Sequence, residues 1–220
     1  MTSVKLIKEN SAVMLVIWAM LLSTAVIALG LSRWALAFVS FATLALSLLP
    51  PLLAARWSLR LPLPFLLFTT LFFFGSIFLG EAFDFYERLW WWDIALHGLS
   101  AVGFGLTGFL FVFMLFEGDR FAAPPSAIAF ISFCVAMTVG AIWEIFEYTM
   151  DLSFGLNKQN SGLNDTMGDL IVDALGGLIA SVTGYFYLRR NAAGLLGHGL
   201  SQFIDMNQRL YRKYKQRIKK

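Results

Sequence analysis

Long apolar windows, in which charged residues are absent or rare, constrain the fold of this chain more than any other feature. Each window approaches the ~20 apolar residues that an α-helix needs to cross about 30 Å of hydrocarbon. Only 14% of all residues are charged, whereas soluble domains have roughly a quarter. Because no water satisfies the backbone inside a bilayer, segments of this length must fold as helices. The sequence therefore predicts an all-α fold, a polytopic bundle of membrane helices.

Six transmembrane helices are predicted, and proline residues mark several of their ends. Pro62 and Pro64 open the third predicted helix, and Pro124 and Pro125 open the fifth. Proline is tolerated in a first helical turn because its missing N–H would have no intrahelical partner there. The predicted helices cover residues 12–31, 34–54, 62–80, 93–116, 125–150 and 167–188.

The basic residues predict that both termini lie in the cytoplasm. In that orientation 14 of the 17 Lys and Arg residues fall on the cytoplasmic side, and Arg33, Arg88 and Lys158 fall outside. This asymmetry is the positive-inside signature of membrane proteins. The acidic residues show the opposite distribution, since 10 of the 14 lie in outer loops or in the outer parts of the last three predicted helices.

Residues 199–220 are predicted to form a basic amphipathic tail helix in the cytoplasm, separate from a six-helix transmembrane domain of residues 1–198. Leu200, Phe203 and Ile204 begin an apolar face at helical spacing, and basic residues occupy much of the other face. Such a helix can lie on an anionic membrane surface. The alternative is a solvated basic tail that only sets the topology. Nucleic acid is not an expected partner, because no other feature of the chain points to it.

A row of acidic residues runs along the last predicted helix. Asp165, Asp169 and Asp173 are four residues apart, so each is displaced by only about 40° around the helix from the one before. Gly176 and Ala180 continue the same stripe, and stripes of small residues are where membrane helices pack closely. The acids are therefore predicted to face the interior of the bundle and not the lipid.

The two preceding helices repeat this pattern. Glu144 and Glu147 share one face of the fifth predicted helix, with Gly140 one turn earlier, and Asp93 and His97 share one face of the fourth. With the predicted topology, all of these groups lie at similar depth in the outer leaflet. The sequence therefore predicts that polar side chains from three helices meet in one extracytoplasmic pocket.

Such a pocket needs positive charge. An acidic side chain at the bilayer centre costs about 2.5–3.5 kcal/mol on insertion scales, so the four deeper acids would cost on the order of 10 kcal/mol at most. That rivals the ~5–15 kcal/mol stability of a typical domain. Bound cations, protons or water can offset this cost, and a divalent cation fits best, with Mg²⁺, Mn²⁺ and Zn²⁺ as the candidates. The predicted metal ligands are Asp93, His97, Glu144, Glu147, Asp165, Asp169 and Asp173.

Local structural roles compete with this interpretation for several residues. Thr166 and Asp169 match a capping box, in which Asp169 would stabilise the N-terminus of the helix. Asp165 can cap that helix or interact with its positive end, and Asp93 can do the same for the fourth helix. His97 can be a buried histidine with satisfied hydrogen bonds. His97 and Asp93 are nevertheless the candidates for a catalytic role.

Three segments resemble the YjdF-like family of bacterial inner-membrane proteins: "GEAFDFYERLWWWDIALHGLSA", "WEIFEY" and "NDTMGDLIVDALGG". The resemblance covers residues 80–180 and implies a multi-pass protein of the bacterial inner membrane. A more distant similarity links the chain to VanZ-like membrane proteins. Asp151 and Asp173 look like departures from the usual YjdF-like pattern. The positions that match the family elements D-x-x-x-H, E-x-x-E-[WY] and D-T-x-x-D are Asp93 and His97, then Glu144, Glu147 and Tyr148, then Asp165, Thr166 and Asp169.

Three functional hypotheses follow. The first is a metal-dependent enzyme that acts on a lipid or lipid-linked envelope precursor, with His97 as ligand or general base and the aromatic loop at 83–92 as a wall for the substrate or an aromatic belt. The second is a cation- or proton-coupled transporter, and the third is a non-catalytic membrane protein with a structural ion. The cytoplasmic halves of the predicted helices lack acids, and no internal repeat is visible, which favours a one-sided site over a transport path.

Overall fold

A computed structural model describes residues 11–116, 123–159, 161–190 and 194–211. Over these ranges the secondary structure is helical without strands, and six helices are long and apolar enough to cross a membrane. The predicted fold class is thereby confirmed. The six long helices are α1 Ala12–Gly30, α2 Trp34–Arg56, α3 Leu63–Ala82, α5 Trp92–Leu115, α6 Pro125–Phe154 and α7 Leu163–Arg190, and two shorter helices are α4 Phe85–Arg88 and α8 Leu195–Met206.

The chain forms two compact units, which divide between Trp90 and Trp91. In the first unit, α1, α2 and α3 pack against one another around Ile17, Leu21 and Phe78. The buried hydroxyl groups of α2 form hydrogen bonds within their own helix. Each donates to a backbone carbonyl about one turn earlier, as Ser40 Oγ does to Leu36 O at 2.8 Å. Hydroxyls of this kind cost little inside a helical membrane protein, since no partner from another helix is required.

The helix α3 contains a π-helical turn, Phe74–Leu79, near its end. The Tyr86 hydroxyl of α4 donates to the carbonyl of Ser76 at 3.0 Å. A side chain at Gly80 would overlap the Tyr86 ring, so glycine is required for this approach. The Tyr86 bond therefore anchors the short helix α4 to the irregular turn, where π-helical geometry disturbs the usual backbone ladder.

In the second unit, α5, α6 and α7 each pack against the other two. Small residues allow the close approach: a Cβ added to Gly176 would lie 2.8 Å from the Cβ of Ala101, and one added to Gly105 would lie 2.5 Å from the Cβ of Ala180. These contacts confirm that the small residues of the acidic stripe face neighbouring helices. The acids on the same stripe are thereby directed into the bundle.

The helix α8 closes the end of this unit that is opposite to the acids. Leu200, Ile204 and Tyr211 are buried in one apolar cluster with Phe113, and the Tyr211 hydroxyl donates to the carbonyl of Leu110 at 2.9 Å. The apolar face that the sequence assigned to a membrane surface or to a solvated tail is thus packed against protein over these residues. Residues 212–220, which include most of the basic residues of the predicted tail, lie outside the described residues.

The connection between α6 and α7 is shorter than the sequence predicted. The helix α6 continues to Phe154 and ends at Gly155, whose φ of 64° is left-handed, and α7 begins directly after Gly162, whose φ is 65°. Glycine adopts this conformation without steric cost. The glycines therefore fix both ends of the connection, and the first turn of α7 includes residues that the prediction had left in a loop.

Candidate metal centre

The predicted site residues gather at one end of the second unit. Because α6 is antiparallel to α5 and α7, the start of α5, the end of α6 and the start of α7 meet there. We call this set of side chains the carboxylate–histidine cluster. Its members are Asp93 and His97 in the first two turns of α5, Glu144 and Glu147 near the end of α6, and Asp165, Asp169 and Asp173 in the first three turns of α7.

His97 occupies the centre of the cluster and is buried, with 5% of its surface exposed. Its Nδ1 atom lies 3.3 Å from Asp173 Oδ2 on α7. Its Nε2 atom lies 3.6 Å from Glu144 Oε1 on α6 and 3.9 Å from Asp93 Oδ1 on α5. The two imidazole nitrogens therefore face carboxylates from all three helices.

Three members of the cluster can hold one metal ion. Asp93, His97 and Asp169 each offer a ligand atom, and these atoms lie within 4.8 Å of one another. Nitrogen and oxygen ligands of Mg²⁺ or Zn²⁺ lie about 2.0–2.2 Å from the ion, so ligands on opposite sides of one ion are separated by roughly twice that distance. The spacing fits a single ion with small side-chain movements. A ligand set of two carboxylates and one imidazole is compatible with Mg²⁺, Mn²⁺ or Zn²⁺.

The carboxylates are buried without enough hydrogen-bond donors. Asp173 is fully buried and Glu144 is 4% exposed. Both carboxylate oxygens of Glu144 lack a hydrogen-bond partner, as does one oxygen each of Glu147, Asp165, Asp169 and Asp173. In the described part of the chain, the ion pairs that these acids make all involve His97. Six carboxylates thus belong to a cluster with one imidazole, which contacts three of them. Four of the six are buried, and unpaired buried charges are strongly unfavourable.

Gly140 of α6 makes room for the Asp173 carboxylate. A Cβ at position 140 would overlap both the carboxylate carbon and an oxygen of Asp173. The sequence placed Gly140 on the same face as Glu144, and the structure shows why the position has no side chain. Asp173 consequently lies between the α6 backbone and the imidazole of His97.

Trp143 contacts the cluster from the surface, and the sequence analysis did not identify it. Its indole Nε1 donates to Glu147 Oε1 at 3.0 Å, while about half of the Trp143 side chain is exposed and Glu147 is buried. The signal for this bond is the i, i+4 spacing of Trp143 and Glu147 within "WEIFEY", which places both on one helix face.

Two local structural roles proposed for the acids of α7 have different outcomes. The capping box was wrong, because Thr166 lies inside α7: its N–H donates to Gly162 O, and its hydroxyl accepts from Gln159 Nε2 at 2.6 Å. Asp169 is consequently a buried residue of the second turn. Asp165 does lie in the first turn, where the positive end of the helix dipole favours an acid, although one of its oxygens is buried without a partner.

Asp93 is not the N-cap of α5. That position belongs to Trp91, and no side chain caps the helix. Asp93 lies in the first turn, half-buried, and so it has the favourable dipole position as well as the contact with His97. The two roles are compatible, because the helix dipole and a bound ion both favour the ionised carboxylate.

Asp151 has a structural role in the connection between α6 and α7. Its Oδ1 accepts the N–H of Lys158 at 2.6 Å, and its Oδ2 accepts the N–H of Gln159 at 2.9 Å. The carboxylate therefore holds the 155–162 connection against the end of α6. The unfavourable dipole at a helix C-terminus is offset by two hydrogen bonds to a charged acceptor, which are stronger than neutral ones.

Comparisons with known proteins agree with the membrane architecture and leave the chemistry open. The family described as "Predicted membrane protein (DUF2238)" matches residues 10–190. An uncharacterized protein from Thermotoga maritima is 33% identical over 112 residues, which are 49% of this chain and 57% of the relative. No solved structure matches the chain. The YjdF-like resemblance is consistent with these matches, and the distant VanZ-like similarity has no support among them.

Proposed function

Because this chain belongs to the DUF2238 family of predicted membrane proteins, we propose that it is a multi-pass membrane protein whose carboxylate–histidine cluster binds a divalent metal ion. The observation that carries the proposal is the convergence of ligand atoms from Asp93, His97 and Asp169 within 4.8 Å. Mg²⁺, Mn²⁺ and Zn²⁺ are the candidate ions, since carboxylates suit all three and the imidazole favours the latter two.

The electrostatics of the cluster support a cation. Six ionised carboxylates around one imidazole leave a formal excess of at least five negative charges at one end of the second unit. A divalent ion bound by Asp93 and Asp169 neutralises two of these charges where water is largely excluded. It also replaces missing hydrogen bonds, because Asp169 has a buried oxygen without a donor.

The contact between His97 and Asp173 supports a metal-binding role for the imidazole. Histidine ligands of metals usually donate their second ring N–H to a carboxylate, which fixes the tautomer and the ring orientation. In a neutral imidazole whose Nδ1 donates to Asp173 Oδ2, the Nε2 atom is unprotonated, and it faces Asp93 and Glu144. We therefore assign Nε2 as the ligand atom and Asp173 as the group that orients the ring.

For the use of the metal we favour an enzyme that acts on a lipid or a lipid-linked envelope precursor at the outer leaflet. A bound divalent ion can polarise an ester or phosphoryl oxygen and can supply a metal-bound hydroxide at neutral pH. His97 and Asp93 are the catalytic candidates. The orientation with both termini in the cytoplasm and a location in the bacterial inner membrane belong to this proposal.

A transporter is the second candidate, and the fold argues against it. In the described residues of α5, α6 and α7, the buried charged side chains all lie in the cluster, at one end. The opposite end is filled by apolar and aromatic side chains such as Phe109, Phe113 and Tyr187. A transport path needs polar groups through both leaflets, whereas a one-sided site suits chemistry at a single membrane surface.

The test is metal analysis of the full-length protein purified in detergent. Protein loaded with Mn²⁺ and then desalted should retain the metal, and His97→Ala and Asp169→Asn should lose it. The matched control is Glu87→Gln, which changes an exposed acid outside the cluster and should retain the wild-type content. If the wild type retains no divalent metal, or if both cluster variants retain as much as the wild type, the proposal is wrong.

Enzymatic use has a separate test. Phosphate release from a phosphorylated lipid in mixed micelles should require added metal and should be lost in His97→Ala. Metal binding without any metal-dependent turnover on phosphorylated lipids or lipid-linked precursors would favour a structural ion. Metal-dependent cation flux in liposomes would favour the transporter.

A further inference from the structure

One divalent ion does not compensate the whole cluster. An ion held by Asp93, His97 and Asp169 offsets the charge of the two aspartates, and a histidine that ligates a metal is neutral. Three buried carboxylates then remain without a positive partner. They are Glu144, Glu147 and Asp173.

Glu144 provides the strongest evidence that something further binds. Its side chain is at least nine-tenths buried, and neither carboxylate oxygen has a hydrogen-bond donor. One of these oxygens lies 3.6 Å from His97 Nε2, so the carboxylate points into the cluster and not towards lipid. An ionised group in this position is costly unless an ion or donor reaches it.

Glu147 and Asp173 each have one carboxylate oxygen with a polar partner and one without. Trp143 donates to Glu147 Oε1, and the buried Oε2 has no partner. Asp173 Oδ2 contacts His97 Nδ1, and the buried Oδ1 has no partner. Glu147 is also close enough to Glu144 and Asp93 for electrostatic repulsion between the carboxylates. The spare oxygens are acceptors without donors in one crowded, negatively charged pocket.

We infer that the cluster holds a second divalent cation, bound by Glu144 and Glu147, which lie three residues apart on one face of α6. The inference rests on the proposed function, because the second ion is the neighbour of the first. The donors are all carboxylate oxygens, which select hard cations such as Mg²⁺, Mn²⁺ and Ca²⁺.

The two ions make different demands on the protein. The first site has an imidazole ligand and accepts Zn²⁺. The second site has only oxygen ligands, which suit Mg²⁺, Mn²⁺ and Ca²⁺ better than Zn²⁺. Pairs of metal ions in enzymes lie about 3.5–4 Å apart and act together on one substrate group. The cluster therefore has the composition of a two-metal site and not of a single structural ion.

The experiment uses the full-length protein in detergent, titrated with Mn²⁺. Bound metal is measured after desalting, and electron paramagnetic resonance distinguishes isolated Mn²⁺ from a spin-coupled pair. The wild type should bind two equivalents with a coupled spectrum, as expected for neighbouring ions. Glu144→Gln and Glu147→Gln should each retain one equivalent with an uncoupled spectrum, and Glu87→Gln should match the wild type.

The outcomes separate this inference from the proposed function. One equivalent of uncoupled Mn²⁺ in the wild type would overturn the second ion and leave the first intact, whereas no bound Mn²⁺ would overturn both. Two equivalents that persist in Glu144→Gln and Glu147→Gln would overturn the assigned ligands. Loss of both ions from folded Glu variants, judged by an unchanged melting transition of the apoprotein, would overturn the division into two sites. If a variant does not fold, the wild-type stoichiometry and spectrum decide alone.

Discussion

The carboxylate of Asp173 on α7 occupies the space that a side chain at Gly140 on α6 would fill. This contact joins two features that are far apart in the sequence, a glycine within an apolar helix and an acid within a row of acids. Asp173 reaches the imidazole of His97 because α6 offers only backbone at this point. Membrane helices approach closely at small residues, and here the space gained is used by a carboxylate.

Gly140→Ala should displace Asp173 and weaken both folding and metal binding. The new methyl group overlaps the carboxylate, and an overpacked interior typically loses about 1–3 kcal/mol. A lower melting temperature and lower Mn²⁺ content are expected. Gly168→Ala is the matched control, because nothing lies within 4 Å of its added Cβ. Equal effects of the two substitutions would show that the contact with Asp173 is unimportant.

Removal of metal should destabilise the wild type much more than the His97→Ala variant. A ligand present at about 100 times its Kd stabilises the folded state by about 2.7 kcal/mol, and removal by a chelator reverses this gain. Melting curves with and without EDTA, then with Mn²⁺ restored, measure the difference. A wild-type melting temperature that is the same in chelator and in Mn²⁺ would contradict a bound ion in the cluster.

Trp143→Phe should weaken metal binding at Glu147 while it preserves the aromatic surface. The substitution removes the N–H that donates to Glu147 Oε1 at 3.0 Å, and hydrogen bonds to charged groups contribute about 1.5–3 kcal/mol. Mn²⁺ titration should show a weaker second equivalent and an unchanged first. Trp90→Phe removes the indole of a highly exposed tryptophan and should change neither. A uniform loss at both equivalents would instead indicate general disruption.

The convergence of the acids was predictable, because two features of the sequence act together: the spacing of the polar residues and the length of the apolar segments. The i, i+4 spacing of Asp93 and His97, and of Asp169 and Asp173, fixes one face of each helix. The length of each apolar segment fixes the ends of the helix, and so how far each acid or histidine lies from a helix end. Antiparallel neighbours then bring the start of one helix beside the end of the next. The six membrane helices follow from the same apolar lengths.

The remaining details depend on contacts that no local pattern encodes. The start of α7 before Asp165 depends on Gly162, and the capping box fails because Thr166 lies inside the helix with its N–H bonded to Gly162 O. Periodicity identified the apolar face of α8 but not its partner, since lipid and protein bury such a face equally well. The bond from Tyr211 to Leu110 selects protein.

Tyr211→Phe should destabilise the second unit without affecting the metal. It removes the hydroxyl that donates to Leu110 O, and a typical hydrogen bond contributes about 0.5–1.5 kcal/mol. Burial raises the pKa of the Tyr211 phenol above its usual value, so the hydroxyl remains a donor in alkaline buffer. Thermal melting should show the loss, and Mn²⁺ content should match the wild type. Tyr148→Phe, at an exposed ring, should melt like the wild type.

Asp151→Asn should loosen the 155–162 connection and leave the carboxylate–histidine cluster intact. The amide replaces one of the two acceptor oxygens with an NH2 donor, so the N–H of Lys158 or that of Gln159 loses the oxygen to which it donates. Limited proteolysis between Gly155 and Gly162 should be faster, while Mn²⁺ binding stays at the wild-type level. Asp169→Asn provides the opposite pattern, with lost metal and an unchanged cleavage rate in this connection. If Asp151→Asn also loses Mn²⁺, the Asp151 carboxylate contributes to the metal centre and its role is not confined to the loop.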